Sequence, residues 1–403
     1  MRDYYYLPTL IGCLVAFGAV SWVYFKVLTL AMLKGLVDNP DARKLQKTPV
    51  PVMGGVAVFF GILCGGLTAL ALYQLLGCPI DPVVMPALLA MGIMLYVGAL
   101  DDMLGLTPRS RLVIETLAVL GMIYTSDMCI DTFRGMWGIM EIPWSVAVPL
   151  TVFAGVGIIN AINMIDGVNG LSSGLCITCS LLFGCVFLRT GDLFNASLAF
   201  IMAAALVPFF IHNVFGLKSR MFIGDAGTMV MGILMTWFLI NMLSTHSPIL
   251  FYKRNPEVNM IAMGLAVLSV PVFDTLRVTT MRVAKGKSPF SPDKTHLHHA
   301  FVGLGISHFV TAMCEIFIGI LVFVVWAFAL SQNVSLDGQL YIVIGVSAVL
   351  VWGSYGFLSC QRFHQTPFVK WIIHFSPKTH MGRTDWWKRI TAWLDAPGDY
   401  SNF

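Results

Sequence analysis

Apolar runs of about 20 residues recur along most of the chain, and they restrict its fold more than any other feature. A helix of about 20 apolar residues crosses a hydrocarbon core about 30 Å thick. Inside lipid such a run is helical, because a helix satisfies its own backbone polar groups. Eleven runs have the required length: 6–30, 52–76, 83–100, 111–126, 144–161, 171–189, 194–213, 227–244, 259–280, 308–331 and 338–359. The sequence therefore predicts an all-α integral membrane protein, a polytopic bundle of about eleven transmembrane helices.

The composition excludes several other classes of protein. Of the 403 residues, 57% are apolar and only 11% are charged, whereas about 25% of an average soluble domain is charged. So few charges cannot cover the surface of a soluble enzyme of this length, and they argue against a disordered chain or a nucleic-acid-binding protein. The nine cysteines are scattered and several lie inside apolar runs, so they do not suggest a disulfide framework.

Basic residues are distributed unevenly between the two sets of loops. Nineteen of the 25 lysines and arginines lie after odd-numbered spans or in the C-terminal tail. Positively charged short loops stay in the cytoplasm, so this asymmetry predicts cytoplasmic odd loops and an external N-terminus. We expect a transmembrane domain over residues 1–360 and a basic, amphipathic cytoplasmic tail over 361–403, in which Trp386 and Trp387 suggest an interfacial segment.

Ionisable and amide residues, which are costly at membrane depth, gather at the odd loops and the adjoining ends of the spans. The candidates are Lys44 and Lys47 in the first loop, Asp101 and Asp102, then Asn163, Asp166 and Asn169 in NAINMIDGVNG, then Asn213, then Asp225 in FIGDAG, and finally Asp274, Arg282, His296, His298 and His299. Loops that follow odd-numbered spans all lie on the same side of the membrane, so these clusters share one face. The distribution predicts one site at the cytoplasmic interface, reached by a water-soluble substrate and by a lipid.

The residue types in these clusters suit phosphoryl transfer. Asp101, Asp102, Asp166 and Asp225 offer hard oxygen ligands of the kind that Mg²⁺ or Mn²⁺ prefers. The adjacent pair Asp101–Asp102 requires either a metal or one raised pKa, and a raised pKa would make one of them a proton acceptor. The lysines, Arg282 and the histidines suit phosphate oxygens, and a metal with cationic donors is the arrangement that phosphoryl transfer uses.

Each motif also has a structural interpretation when taken alone. The Asp-Asp pair could cap a helix end, and His-Leu-His-His could bind zinc, although no cysteine accompanies it. Cys176 and Cys179, like Gly155 and Gly157, are typical of helix packing. Two other functions remain alternatives: a polytopic transporter of an anionic solute, for which paired repeats with polar groups near the midplane would be expected, and a non-catalytic scaffold.

Five segments together carry a resemblance to a known family. They are GLVDNPDARKLQKTPVPVMGG (35–55), GALDD (98–102), NAINMIDGVNGL (160–171), FIGDAGT (222–228) and PVFDTLRVTTMRVAKGKSPFSPDKTHLHH (271–299). The chain resembles the polyprenyl-phosphate N-acetylhexosamine-1-phosphate transferases, including undecaprenyl-phosphate N-acetylglucosamine-1-phosphate transferases and, more distantly, the phospho-N-acetylmuramoyl-pentapeptide translocase. Each segment alone is weak, but their order and number make the resemblance specific.

The resemblance implies a bacterial inner-membrane enzyme with its active site facing the cytoplasm. It implies transfer of a sugar-1-phosphate from a UDP-N-acetylhexosamine to undecaprenyl phosphate, with Mg²⁺ as cofactor and UMP as product, at the start of lipid-linked cell-envelope glycan synthesis. Its partners would be these two substrates and the membrane lipid, with no nucleic acid. A homodimer is compatible with the sequence, which leaves the oligomeric state open.

The resemblance also implies roles for individual residues. Asp101 and Asp102 match paired aspartates that supply the general base. Asp225 matches a Mg²⁺ ligand, and Asp166 and Asp102 are the further metal candidates. Asn163, Asp166 and Asn169 match the nucleotide-binding loop, and Asn213 the sugar-nucleotide pocket. The residues matched to the donor's pyrophosphate and sugar are Arg282, His296, His298 and His299, with His298 in a catalytic role. Lys44 and Lys47 are candidates for a phosphate-side cation.

Two departures from the family pattern concern specificity. Asn169 stands where the nucleotide loop of other members has a second acid, and an amide there can still hydrogen-bond a uracil edge. His-Leu-His-His resembles the N-acetylglucosamine-1-phosphate transferases more than the translocase, whose histidines are contiguous. The residues do not identify which UDP-sugar is used or which polymer follows.

Overall fold

A computed structural model describes residues 6–39, 49–78, 84–247, 257–289, 294–360 and 365–396. The described part is almost entirely helical. Its helices are α1 Leu7–Leu33, α2 Gly54–Leu75, α3 Val84–Leu104, α4 Pro108–Ser126, α5 Trp144–Met164, α6 Leu171–Thr190, α7 Leu193–Phe215, α8 Gly224–Leu243, α9 Met260–Val267, α10 Ser269–Ala284, α11 Leu297–Gly303, α12 His308–Ser331, α13 Leu336–Ser359, α14 Pro367–Phe375 and α15 Asp385–Asp395.

These helices confirm the prediction of an all-α polytopic membrane protein. In the described ranges, nine helices are each long and apolar enough to cross a membrane. The predicted span 259–280 is the pair α9 and α10, which meet at an angle of 80°. The predicted span 111–126 is α4, which carries Arg109, Arg111 and Glu115 in its first half and is not among the described helices that are apolar enough to cross a membrane. Every predicted span thus coincides with a helix or a bent helix pair.

Helix α8 is the centre of the bundle. In its most apolar stretch 94% of the residues are buried, and it packs on α2, α3 and α5. A Cβ on Gly55 of α2 would lie 2.1 Å from the backbone nitrogen of Gly227, and one on Gly98 of α3 would lie 2.4 Å from the Cα of Ala226. Because only glycine allows such close approach, the backbones of α2 and α3 hold the start of α8 in place.

A short two-stranded ribbon lies at the same end of the bundle. Strands β1 (Val37–Asp38) and β2 (Val50–Pro51) are antiparallel, with Val37 opposite Pro51 and Asp38 opposite Val50. The next residue, Val52, bridges to Phe222 just before α8. The ribbon therefore joins the loop after α1 to the loop that begins the central helix.

Helices α14 and α15 extend beyond the predicted transmembrane domain and fold back on the bundle. Trp387 of α15 lies 4.5 Å from Phe215 at the end of α7 and 5.6 Å from Phe309 at the start of α12, measured between ring centroids. The predicted amphipathic tail is thus partly packed against the helices, while Trp386 and Trp393 remain exposed.

Candidate active site

Asp102 caps the start of the central helix. Its two carboxylate oxygens accept hydrogen bonds from the backbone N–H groups of Asp225 (2.8 Å) and Ala226 (3.1 Å). These N–H groups belong to the first turn of α8, which has no partner for them within the helix. Gly224 adopts a φ of +71°, and a Cβ there would lie 2.5 Å from a carboxylate oxygen of Asp102. The end of α3 and the FIGDAG turn are therefore locked together.

Asp101 and Asp225 share one arginine. The Arg111 guanidinium lies 2.9 Å from Asp101 Oδ2 and 3.7 Å from Asp225 Oδ2. The other oxygen of Asp101 accepts a hydrogen bond of 2.6 Å from the backbone N–H of Leu106. On its other side, Asp225 accepts a hydrogen bond from the side-chain amide of Asn163, which also donates to the Thr228 hydroxyl at 2.8 Å. Arg111 and Asn163 together orient the Asp225 carboxylate.

The predicted nucleotide loop lies beside these carboxylates. Asp166 accepts a hydrogen bond of 2.5 Å from the Ser172 hydroxyl. Its side chain is exposed to a cavity, yet the protein around that cavity desolvates the carboxylate and raises its pKa to about 6, against the lowering effect of the Ser172 hydrogen bond. Buried Asn213 accepts from Gly170 N (2.7 Å) and donates to the Met221 carbonyl (2.9 Å), so it ties this loop to the segment before α8.

The His-Leu-His-His segment is fastened to α10 by Asp274. This buried carboxylate contacts Arg277 (2.6 Å) and His296 Nδ1 (2.8 Å), and it accepts from the backbone N–H of Leu297 (3.2 Å). His298 is 1% exposed, and burial lowers its pKa well below the ordinary value, so it is neutral. Its Nε2 would lie 2.4 Å from a Cβ placed on Gly167.

These elements enclose a cavity of about 700 Å³ at one end of the bundle. The residues that line it are Val37, Asp38, Val52, Asp101, Asp102, Arg111, Asn163, Asp166, Gly167, Val168, Asn169, Asn213, Phe222, Gly224, Asp225 and His299. Five of them are aspartates, and Arg111 is the one arginine or lysine among the lining residues that the structure describes. We call this the acidic cavity.

Most of the predicted site residues meet in the acidic cavity, but not all of them. Its lining includes the four predicted aspartates, the three asparagines and His299. In the described structure, His296, His298 and Arg282 are buried behind the lining, and Arg282 donates to the Pro289 carbonyl at 2.5 Å. Lys44 and Lys47 lie outside the described residues.

Two charged lining residues, Arg111 and Asp38, were not predicted from the sequence as site residues. Arg111 begins the predicted span 111–126, and its position one turn into α4, close to the Asp-Asp pair, could have indicated it. Asp38 lines the cavity because the β1–β2 ribbon holds it there. No local sequence pattern predicts the pairing of these two strands.

The carboxylate and amide oxygens of the acidic cavity fit a hard divalent cation. Asp166, Asp225 and Asn163 supply such oxygens, and no thiolate lines the described cavity. Within the described ranges, no three His, Cys, Asp or Glu side chains are close enough to hold an ion by themselves. Mg²⁺ is commonly held by one or two protein carboxylates together with substrate phosphates.

An apolar groove of about 480 Å³ begins close to the acidic cavity. It runs between α5, α8, the bend between α9 and α10, and α13, and its lining includes Phe153, Gly157, Ala161, Leu268 and Leu276. Ala161 is only two residues from Asn163 on α5, a rise of about 3 Å along the helix. The groove therefore reaches the same depth along α5 as the acidic cavity, with which it shares no lining residue that the structure describes.

Comparison with known proteins agrees with this arrangement. The family described as glycosyl transferase family 4 matches residues 84–243. The undecaprenyl-phosphate alpha-N-acetylglucosaminyl 1-phosphate transferase of Escherichia coli (strain K12) is 30% identical over 286 residues, which are 68% of this chain and 71% of the relative. This chain belongs to the same family of membrane transferases. The Yersinia pestis enzyme of that name is 29% identical over 70% of this chain and 74% of its own.

A more distant member extends the match. The probable undecaprenyl-phosphate N-acetylglucosaminyl 1-phosphate transferase of Bacillus subtilis (strain 168) is 27% identical over 327 residues, 81% of this chain and 84% of its own. The membership confirms the family predicted from the five sequence segments. It also places the Asp102 cap, the Asn163–Asp225 contact and the nucleotide loop inside the region 84–243 that the family shares.

Proposed function

We propose that this transferase moves N-acetylglucosamine-1-phosphate, or a related N-acetylhexosamine-1-phosphate, from a UDP-sugar to undecaprenyl phosphate and releases UMP. The product would be the first lipid-linked intermediate of a cell-envelope glycan. The observation that carries this proposal is the acidic cavity, which five aspartates and Arg111 line at the depth on α5 where an apolar groove ends. The names of the relatives support the lipid acceptor and the transferred group.

Mg²⁺ is the proposed cofactor. Five aspartates against one arginine would repel the two phosphates of a UDP-sugar, so a divalent cation is needed to bring them together. Asp225 and Asp166 are the residues that we assign to hold it, with Asn163 and Arg111 fixing the orientation of Asp225. When bound, the ion would neutralise the developing charge on the donor diphosphate.

The apolar groove is proposed to hold the isoprenoid chain of the acceptor. Its lining is almost wholly aliphatic and aromatic, and no residue of the histidine segment is among the lining residues that the structure describes. A phosphate that follows such a chain to Ala161 would reach the depth of Asn163 on α5, whose side chain lines the acidic cavity. In this proposal the lipid and the soluble nucleotide sugar meet at that depth, each in its own solvent.

In the proposed reaction, an oxygen of the lipid phosphate attacks the β-phosphorus of the UDP-sugar. The new P–O bond forms as the bond from the β-phosphorus to the bridging oxygen breaks, and UMP leaves with that oxygen. Asp101 or Asp102 would accept the remaining proton of the lipid phosphate, and Asp102 also holds Asp225 through the start of α8. A two-step route through an aspartyl-phosphate is the mechanistic alternative.

We assign the acidic cavity to the cytoplasmic face of a bacterial inner membrane. The positive charge of the odd loops supports this orientation, because Lys and Arg are enriched in cytoplasmic loops. UDP-sugars are water-soluble, so the donor would reach the cavity from the same side.

A purified, detergent-solubilised protein tests the whole proposal. It is incubated with undecaprenyl phosphate and a panel of UDP-sugars, UMP is quantified, and the lipid product is weighed by mass spectrometry. We expect UMP and lipid product in equal amounts, and loss of both when a chelator removes divalent metal. Absence of a lipid product with every UDP-N-acetylhexosamine, or full turnover without divalent metal, would contradict the function or the cofactor respectively. Uptake of an anionic solute into proteoliposomes without UMP release would favour the transporter.

A further inference from the structure

A second cavity, of about 460 Å³, lies next to the acidic cavity. The two share Gly167, Asn169 and Phe222 in their lining. The outer wall of the second cavity comes from the C-terminal segment, through Thr379–Arg383 and Trp387. These residues lie far beyond the region 84–243 that matches the family. We call this space the tail cavity.

The C-terminal segment is attached to the loop that leads into α8. Asp395, at the end of α15, accepts hydrogen bonds from the backbone N–H groups of Leu217 (3.3 Å), Lys218 (3.1 Å) and Ser219 (3.0 Å), and from the Ser219 hydroxyl (2.8 Å). Burial alone would raise the pKa of Asp395, but these hydrogen bonds outweigh it and hold the pKa below its ordinary value. The carboxylate therefore stays ionised and docked at neutral pH.

A second attachment reaches the loop that follows the histidine segment. The Thr379 hydroxyl accepts from the backbone N–H of Ser307 (3.0 Å), and the Ser307 hydroxyl donates to the Thr379 carbonyl (2.6 Å). His380 Nε2 lies 3.0 Å from the Gly305 carbonyl oxygen. The segment thus connects the loop before Asp225 with the loop after His299, the two segments that border the acidic cavity from that side.

The tail cavity has the chemistry of an anion site with an aromatic wall. Arg220, Arg383, His308 and His380 line it, and no Asp or Glu is among the lining residues that the structure describes. The Nε of Arg220 is buried and has no hydrogen-bond partner in the described structure, an arrangement that leaves a donor ready for a ligand. Phe222, Phe309 and Trp387 add flat apolar surfaces.

We propose that the C-terminal segment completes the donor site, with Arg383 and Arg220 binding the nucleotide part of the UDP-sugar. This inference rests on the proposed function. A nucleoside monophosphate combines a planar base, which stacks on aromatic rings or guanidinium planes, with a phosphate that takes charge-assisted hydrogen bonds from arginine. The tail cavity offers both, and it continues the predicted nucleotide loop through Gly167 and Asn169.

The acceptor lipid is a poorer occupant of the tail cavity. The tail cavity shares three lining residues with the acidic cavity, to which the donor diphosphate is assigned. An isoprenoid chain would also offer no hydrogen-bond acceptor to Arg220 or Arg383. The nucleotide end of the donor extends away from the reacting diphosphate, and in the tail cavity its negative phosphate would complement the positive charges of Arg220 and Arg383.

Steady-state kinetics of full-length variants test the inference. Arg383 is exposed, so Arg383→Ala leaves the packing of the fold intact. We expect Arg383→Ala and Arg220→Ala each to raise the KM for the UDP-sugar and the inhibition constant of UMP by about tenfold, the size expected for one lost charge-assisted hydrogen bond. The kcat and the KM for undecaprenyl phosphate should change less than about twofold. Arg389→Ala, at an exposed arginine of α15 outside the cavity lining, is the matched control and should match wild type.

A third variant tests the docking of the segment. Asp395→Asn replaces the charged carboxylate that accepts hydrogen bonds from the 217–219 loop, so it should also raise the KM for the UDP-sugar. Asp385→Asn, at an exposed carboxylate of the same helix, is the control and should leave this KM unchanged. Unchanged donor KM and UMP inhibition in both arginine variants overturn the inference, as does a parallel loss of kcat and lipid affinity. If the wild type turns over no UDP-sugar, the proposed function fails, and calorimetric titration of UMP into wild type and Arg383→Ala then decides the inference: equal affinities overturn it.

Discussion

Asp102 and Asp225 are joined through the backbone: the Asp102 carboxylate accepts the N–H of Asp225 at 2.8 Å and that of the next residue at 3.1 Å. The side chain of Asp225 is thereby free to face the acidic cavity, where Asn163 and Arg111 contact it. The two adjacent aspartates at the end of α3 therefore have different structural roles. Asp101 pairs with an arginine, and Asp102 builds the turn that presents the metal candidate.

The variant Asp102→Asn should distinguish the role of Asp102 as the cap of α8 from a role in proton transfer. An asparagine replaces one acceptor oxygen with an NH₂ group that faces a backbone N–H, so the start of α8 shifts. We expect kcat to fall about 100-fold, the effect of a misplacement of about 1 Å, and the free energy of unfolding to fall by about 1 kcal/mol, as for a lost helix cap. UMP release and thermal unfolding in detergent measure the two effects.

Asp101→Asn is the informative comparison for that variant. It keeps the α8 cap, so it should retain wild-type thermal stability more closely than Asp102→Asn does. Asp385→Asn, at an exposed aspartate of α15, controls for the loss of one carboxylate. Wild-type turnover in both Asp101→Asn and Asp102→Asn would contradict the assignment of a base to this pair.

Arg111→Ala should change the dependence on divalent metal. Arg111 is the one described lysine or arginine that lines the acidic cavity, and it lies within 4 Å of two carboxylates. Without it the cavity is more negative, so the half-saturating Mg²⁺ concentration should fall severalfold. Turnover at saturating Mg²⁺ should fall at least about tenfold, because Asp225 loses a contact that orients it. Arg109→Ala, two residues earlier and exposed, should leave both quantities unchanged. A rise in the Mg²⁺ requirement of Arg111→Ala would show that Arg111 does not compete with the ion.

Most of the helices could be predicted from the sequence, because the thickness of a bilayer fixes the length of each apolar run. Helix ends with polar or glycine-rich segments were also predictable, as at the Asp-Asp pair that ends α3 and the FIGDAG segment that begins α8. Helix α4 coincides with a predicted span, but its three charged residues weaken the apolar signal. Arg111 pairs with Asp101 on α3 and Glu115 contacts Asn160 on α5, and a single run of sequence does not reveal these partners.

Side-chain geometry across distant segments could not be predicted. Asp38 reaches the acidic cavity only because the β1–β2 ribbon pairs with Phe222. Asn213, predicted as a substrate-pocket residue, lines the acidic cavity, and its hydrogen bonds hold two loops together. Gly155 packs against Thr236, as expected, whereas the prediction of a packing role for Gly157 was wrong, since a Cβ there meets no atom within 4 Å and the residue lines the apolar groove.

Donor and metal binding should weaken in acid through Asp166. Its carboxylate has a pKa of about 6 in the folded protein, above the value near 3.9 in an unfolded chain. The raised pKa disfavours the ionised form, so the stability that Asp166 contributes is present below the unfolded value and is lost as the pH rises through about 6. Metal binding requires the ionised form. The half-saturating Mg²⁺ concentration should therefore rise about tenfold per pH unit below pH 6.

The matched variant for this pH dependence is Asp166→Asn, which cannot titrate. Its Mg²⁺ requirement should be high and nearly flat between pH 5 and 7. The lipid phosphate itself titrates near pH 6, so the diagnostic quantity is the difference between the two proteins. If the Mg²⁺ requirements of wild type and Asp166→Asn change with pH in parallel, the assignment of Asp166 as a metal ligand is contradicted.

Gly157→Leu should obstruct the acceptor lipid and leave the donor site intact. Gly157 lines the apolar groove, and a Cβ at this position meets no atom within 4 Å, so a leucine fits on α5 and projects into the groove. The substitution also favours the helix, by about 1 kcal/mol or slightly less, so a loss of activity would not come from unfolding. We expect the KM for undecaprenyl phosphate to rise about tenfold while the KM for the UDP-sugar changes less than about twofold. Gly121→Leu on α4, another glycine with open space around its Cβ but outside the groove lining, should behave as wild type. An unchanged KM for undecaprenyl phosphate in Gly157→Leu would place the isoprenoid chain elsewhere on the bundle.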